Sequence, residues 1–120
     1  MELGKINLEK EGVEALVGSL ESDIMNYLWK KKDGCTCREM HDALGRKHDI
    51  ATTTITVTCD RMHAKGLLER KVERGKGGLK YIYAPKLSKE QIVSKLSKKF
   101  VNYLRNSFGE SSVAYLKKNI

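Results

Sequence analysis

The sequence predicts a mainly α-helical fold with one small β-hairpin, of class α+β, and three stretches predict it. Residues 20–31 and 36–45 read as two short amphipathic helices separated by Asp33-Gly34. Residues 52–85 begin as a helix, with Ile55, Cys59 and Met62 at helical spacing, and stop at Gly66. They continue as two strand-like runs, 67–73 and 79–84, around the basic tip Arg74-Gly75-Lys76-Gly77-Gly78. Residues 88–107 carry a long apolar helical stripe. A helix, a turn, a threonine-faced helix and a basic hairpin compose a winged helix-turn-helix, an architecture that presents its last helix to a DNA groove and its hairpin to the backbone beside it. The expected organisation is an N-terminal extension at 1–17, a winged-helix DNA-binding domain at 18–86 and a C-terminal helical dimerisation region at 87–120.

Each element has a local reason. Residues 9–17 form a short helical lead-in. In the first helix Ser19 is placed to cap, Glu21 and Asp23 suit the N-terminal end, and the lysines at 30–32 suit the C-terminal end. Leu20, Ile24 and Leu28 make one stripe, with Met25 and Trp29 beside it. Thr36 and Glu39 form a capping box for the second helix, whose contacts are Met40, Ala43 and Leu44 and whose expected stop is Gly45. Arg46 to Asp49 are then the turn into the third helix, which starts at Ala51 or Thr52. Threonine is a poor helix former and a strand competes for residues 50–58. The helical pattern continuing through Arg61 to Gly66 decides for helix. Pro85 closes the hairpin, and Ser88 with Gln91 forms a second capping box. Ile92, Leu96, Phe100, Leu104 and Phe108 then recur every four residues. Gly109 breaks the helix, and Ser111 or Ser112 is expected to cap a last one bearing Val113, Leu116 and Ile120.

Composition narrows the function classes. The chain has 120 residues, 40% of them apolar, enough for one packed domain with an appendage. No apolar run approaches the ~18 residues that a membrane span needs. The first residues hold no apolar signal core, and Cys35, Cys37 and Cys59 are an odd number of thiols, so the expectation is a reduced, cytoplasmic protein with no membrane partner. The net charge of +8 is uneven: residues 1–59 hold 8 Lys/Arg against 10 Asp/Glu, and residues 60–120 hold 15 against 5. A basic second half points to a polyanionic partner. No nucleophile stands with a base and an orienting group, and no P-loop or zinc-hydrolase motif occurs, so neither an enzyme nor a cofactor is expected.

The residues also carry a resemblance. Leu20-Glu21-x-x-Ile24-Met25-x-x-Leu28-Trp29, then Thr36-x-Arg38-Glu39, then Thr54-Ile55 with Arg61 and Lys65-Gly66-Leu67-Leu68, then Tyr81-x-Tyr83-x-Pro85, resemble the penicillinase-repressor family, whose members include copper-responsive relatives. Phe100-Val101-Asn102-Tyr103-Leu104 and Phe108-Gly109-x-Ser111 are similar to that family's dimerisation region. The resemblance covers residues 18–118. It implies a homodimeric repressor on a double-stranded DNA operator of inverted-repeat form, and an inducer or sensor protein as a further partner. Three departures stand out. Lys99-Phe100 occupies the place of the Asn-Phe bond that is cut in penicillin-sensing members. No Cys-x-Cys pair follows Cys59, although copper-responsive members carry such a run. Thr52 and Thr53 replace basic residues that some relatives place early in the third helix.

The candidate DNA-binding residues are Arg38, Thr52, Thr53, Thr54, Thr56, Val57, Arg61, Arg74 and Lys76. Threonine hydroxyls hydrogen-bond bases or phosphates, and the threonine methyl meets thymine methyls. Arg74 and Lys76 at a glycine-rich tip suit phosphates. Arg61 is placed either for phosphate or to brace the fold, and Asp60 is expected in a salt bridge with a neighbouring basic side chain. The candidate dimerisation residues are Ile92, Leu96, Phe100, Leu104, Phe108, Val113 and Leu116. Cys35, Cys37 and His41 are the one grouping with metal-ligand chemistry. They lack the second ligand pair of a zinc site, so the thiols read first as structural. A metal- or thiol-responsive sensor on the same fold and a winged-helix protein-interaction module remain the alternative readings.

Overall fold

The computed structural model describes residues 5–15, 17–31 and 33–120. A 3-10 turn, Gly12–Ala15, precedes three helices: α1 (Ser19–Lys30), α2 (Cys37–His48) and α3 (Thr52–Ala64). The strands β1 (Leu68–Gly75) and β2 (Gly78–Pro85) form an antiparallel hairpin, followed by α4 (Lys89–Phe108) and α5 (Glu110–Asn119). The chain divides into two compact units, Met1–Leu87 and Ser88–Ile120. The α+β class and the three-helix-plus-hairpin order are those the sequence predicts.

In the first unit, Ile24, Met25 and Leu28 of α1 meet Met40 of α2, Ile55, Cys59 and Met62 of α3, and Leu67, Leu68 and Tyr83 at the base of the hairpin. All are fully or almost fully buried. Burying a side chain of this size is worth roughly 1.5–3 kcal/mol, so this layer stabilises the unit. Leu20, Trp29 and Leu44 sit half-exposed at its rim rather than inside. The Trp29 indole N–H donates to the Leu87 carbonyl at 3.0 Å.

Several boundaries differ from the sequence reading. The lead-in is the 3-10 turn alone, not a helix over 9–17. The α1 N-cap is Gly18, and Ser19 is already helical and makes no cap bond. Gly45 does not stop α2, which runs on through His48 and ends where Asp49 takes a left-handed conformation (φ 49°). Asp tolerates that region better than most residues. The glycine serves packing instead. A Cβ at position 45 would lie 2.7 Å from His41 Cδ2, because the imidazole folds over that turn. Its Nε2–H donates to the Ile50 carbonyl at 2.8 Å. Arg46, Lys47 and His48 are therefore the last turn of α2 rather than a linker.

Both capping boxes form. Glu39 N–H donates to Thr36 Oγ1 at 3.2 Å, and Gln91 N–H donates to Ser88 Oγ at 3.1 Å. The threonine-rich α3 is helical with no side-chain cap. Thr56 and Thr58 turn their hydroxyls onto the carbonyls of Thr52 and Thr54, at 3.1 and 2.8 Å. The hairpin closes tighter than the five-residue tip suggests. Gly75 pairs with Gly78, leaving Lys76-Gly77 as the turn, and Gly78 has φ 108°. Such a φ favours glycine.

In the second unit, Gly109 at φ 86° separates α4 from α5. No serine caps α5; Gly109 stands at the N-cap, and Ser112 donates its hydroxyl back to the Leu104 and Gly109 carbonyls. The Tyr103 and Phe108 rings meet edge to face with centroids 6.4 Å apart. Arg105 pairs with Glu110 across the break.

Candidate nucleic-acid interface

The outer face of α3 is set by its inner one. Ile55, Thr58, Cys59 and Met62 are buried, so Thr53, Thr54, Val57, Asp60 and Arg61 share the exposed arc one helical face away. Val57 is 61% exposed, an apolar side chain with no core role. Thr52 and Thr56 lie half-buried at the edge of the arc. The Thr56 proton is committed to its own helix, so its methyl and a lone pair remain for a ligand.

The hairpin sorts its side chains by face. Arg70 lies opposite Tyr83, Val72 opposite Tyr81 and Arg74 opposite Leu79. The alternate positions, Glu69, Lys71 and Glu73 with Ala84, Ile82 and Lys80, point the other way. The first face is the one turned to α3. The Tyr83 hydroxyl donates to Asp60 Oδ1, and Arg70 reaches the same oxygen at 3.4 Å. Burial and the Asp60 hydrogen bond both push the Tyr83 phenol up from its ordinary pKa. The Arg70 guanidinium lies 5.0 Å from the centre of the Tyr81 ring. The acids Glu69 and Glu73 are thus kept off the side that continues the α3 arc, and the one acid in the arc is paired, as expected of Asp60.

The hairpin base is held from its other edge too. Cys35 and Tyr83 exchange backbone hydrogen bonds at 2.9 and 2.8 Å. This approach requires Gly34, where a Cβ would sit 2.5 Å from Ile82 Cγ2 and 3.0 Å from the Tyr83 carbonyl. From the sequence Gly34 is legible only as a helix terminator, and neither the bridge nor the Tyr83–Asp60 bond has a local signature. The alternation Arg70, Val72, Arg74 against Glu69, Lys71, Glu73 was the available signal for the sorted faces.

The remaining candidates fall as follows. Arg38 is exposed in the first turn of α2, and Arg74 and Lys76 are exposed at the far end of the hairpin. Arg61 braces the fold: it and Lys65 reach the mostly buried Glu21 carboxylate of α1 at 3.5 and 3.8 Å. Asp23 ties α1 to the end of α2 through Lys47 at 3.0 Å and His48 at 2.7 Å. Burial raises the Asp23 pKa, but those two hydrogen bonds outweigh it and the net shift is downward. Cys35, Cys37 and His41 do not gather into a ligand set. Cys35 is fully buried at the β-bridge, His41 faces Ile50, and among the described residues no three His, Cys, Asp or Glu side chains form a metal-holding group.

Comparison with known proteins fits this arrangement to a family. The family model for the penicillinase repressor matches residues 17–119. The chain belongs to the penicillinase repressor family. This member is 31% identical over 81 residues to the transcriptional regulator BlaI of Mycobacterium tuberculosis, in both strain CDC 1551 / Oshkosh and strain ATCC 25618 / H37Rv. The match takes in 67% of this chain and 55% of BlaI, so the chain spans about half the length of the curated relatives it matches. In this repressor-family chain, Phe100 and Phe108 are 42% and 66% exposed, Leu96, Leu104 and Leu116 are half-buried, and Ile92 and Val113 are buried. Among the described residues no helix is long and apolar enough to cross a membrane.

Proposed function

We propose that this chain is a dimeric, DNA-binding transcriptional repressor that occupies an inverted-repeat operator. The observation that carries the reading is the continuity of the exposed α3 arc with the Arg70–Tyr81–Arg74 face of the hairpin, from which Glu69 and Glu73 are excluded. Helix α3 reads base edges in the major groove with Thr53, Thr54 and Val57 in front and Thr56 at the edge. Arg38, Arg74 and Lys76 hold phosphates and fix the register. The C-terminal unit pairs two copies through Phe100, Phe108 and the half-buried leucines, so that a two-fold protein reads a two-fold site. Repression follows from occupancy of the operator.

The deciding experiment has two stages. A random duplex pool is offered to the protein, and the bound sequences are recovered; an inverted repeat is expected. Affinity for that duplex is then followed against salt. If the dimer neutralises roughly 6–10 phosphates, log affinity falls with log salt at a slope of about −5 to −9. A flat response rejects DNA as the partner and favours a protein-interaction module. Arg74→Ala and Lys76→Ala are expected to weaken selected and random duplexes alike, whereas Thr53→Ala is expected to cost on the order of 1 kcal/mol on the selected duplex alone.

A further inference from the structure

Asp60 and Arg70 meet where the exposed arc of α3 runs into the hairpin. Thr53, Val57 and Asp60 recur at helical spacing, so Asp60 ends the stripe that Thr53 begins, roughly 10 Å along the helix axis. Arg70 stands in β1 opposite Tyr83, and the Val72–Tyr81 pair follows toward the tip on the same face. The Arg70 Nη1 donates to Asp60 Oδ1 at 3.4 Å, and the same oxygen accepts the Tyr83 hydroxyl. The guanidinium carbon lies 5.0 Å from the centre of the Tyr81 ring. The Arg70 side chain is nonetheless 35% exposed. One donor is tied and one flat side lies over a ring, so the remaining N–H donors of the fork are open to a ligand. We infer that Asp60 is a positioning residue for DNA: it fixes Arg70 over Tyr81 so that the free guanidinium donors take one backbone phosphate in register with the bases that α3 reads. The inference deepens the DNA-binding reading and rests on it.

A carboxylate on this arc has two opposed effects. It repels the phosphates of every duplex alike, and salt screens that repulsion beyond roughly 8 Å at physiological strength. It also orients a cation, and only a duplex seated in one register gains from that. Arginine suits the second role. Its guanidinium is planar, stacks on aromatic rings and forks onto phosphate oxygens through parallel N–H donors. An untethered arginine reaches phosphates from many rotamers, so it strengthens random duplex nearly as much as the selected one. Held at Asp60 and Tyr81, the Arg70 side chain meets a phosphate in one place, and its freedom is already lost before the duplex arrives. Arg61, next to Asp60 in the chain, is turned to Glu21 of α1, which leaves the Asp60 carboxylate to Arg70 and Tyr83. Arg70 and Arg74 stand roughly 13 Å apart along β1, too far to share one phosphate. Arg70 therefore adds a contact of its own, between the groove-reading turns of α3 and the hairpin tip.

The test compares the full chain with Asp60→Ala, on the duplex recovered from the random pool and on a random duplex of equal length. If Asp60 acted by charge alone, its removal would raise both affinities by the same factor and leave their ratio unchanged. Positioning predicts that the selected-to-random ratio falls about tenfold. Arg70→Ala is expected to lower the ratio as far, and to make the salt slope on the selected duplex shallower by about one per subunit. With Arg70 already alanine, adding Asp60→Ala is expected to change the ratio by less than about twofold. Tyr83→Phe checks for a merely structural role: it removes one tie between the hairpin and α3, keeps the Asp60–Arg70 pair, and is expected to hold the ratio within about twofold. Should Asp60→Ala not fold by circular dichroism, Tyr81→Leu, which removes the ring beside Arg70, is read in its place with the same expected loss. An unchanged ratio in Asp60→Ala, a further full loss in the double variant, or an equal loss in Tyr83→Phe overturns the positioning role alone. Wild-type protein that selects no duplex rejects the DNA-binding reading and this contact with it.

Discussion

The first unit encloses a continuous core within the chain, and the second leaves most of its large apolar side chains open. In Met1–Leu87, three helices and the hairpin base bury Ile24, Met25, Leu28, Met40, Ile55, Met62, Leu68 and Tyr83 completely or nearly so. In Ser88–Ile120, only Ile92 and Val113 are buried, while Val93, Phe100, Tyr103, Phe108 and Tyr115 face outward. Two helices have too little surface to enclose a stripe of that length. These exposed aromatics are the surface that the proposed pairing of two copies would cover. The difference separates a unit that encloses a core from one that leaves most of its large apolar side chains exposed.

The largest effect is therefore expected from the open unit. Phe100→Asp with Phe108→Asp is expected to leave the helical spectrum intact and convert the full chain to a monomer in sedimentation at micromolar concentration. Affinity for the selected duplex is expected to drop by roughly a hundredfold or more, because linked half-site readers lose their effective concentration. A dimer that survives the double change breaks the comparison.

Next comes the closed unit. Gly34→Val places a side chain against Ile82 and the Tyr83 carbonyl, and is expected to cost about 1–3 kcal/mol in urea unfolding while the dimer persists. Tyr83→Phe removes the hydroxyl that ties the hairpin to Asp60, with an expected loss of about 1–2 kcal/mol. Either substitution proving neutral would show that the hairpin base is not held from both edges.

The smallest effect is on pH. Asp23 has a folded pKa below its ordinary value, so its contribution is present above pH ~4 and is lost as pH falls through the folded value. Asp23→Asn is expected to flatten the acid limb of the stability curve by under about 1 kcal/mol. An unchanged acid limb would show that the Lys47 and His48 contacts carry no net stability.

The helices and hairpin were legible because local chemistry wrote them: two capping boxes, apolar spacing, and glycines around a basic tip. What failed was what depends on tertiary contact. Gly45 looked like a stop because glycine ends helices, yet its purpose is room for the His41 ring. Ser19 and the serines at 111 and 112 looked like caps, but packing set those helix starts elsewhere. At the candidate site, the exposure of Thr53, Thr54, Val57, Arg74 and Lys76 followed from local pattern alone. Tyr83 could not be assigned, since its partners Asp60 and Cys35 lie 23 and 48 residues away.

The two-faced hairpin has a consequence for how this gene can drift. Strand side chains alternate, so removing or adding one residue inside β1 would invert everything beyond it. For a change at the start of the strand, Glu69 and Glu73 would then exchange sides with Arg70 and Arg74, and the surface proposed to meet phosphates would become an acidic one. Two-residue insertions in both strands preserve the alternation and merely lengthen the ribbon. Single-codon length changes between Leu68 and Arg74 are the ones that selection would remove.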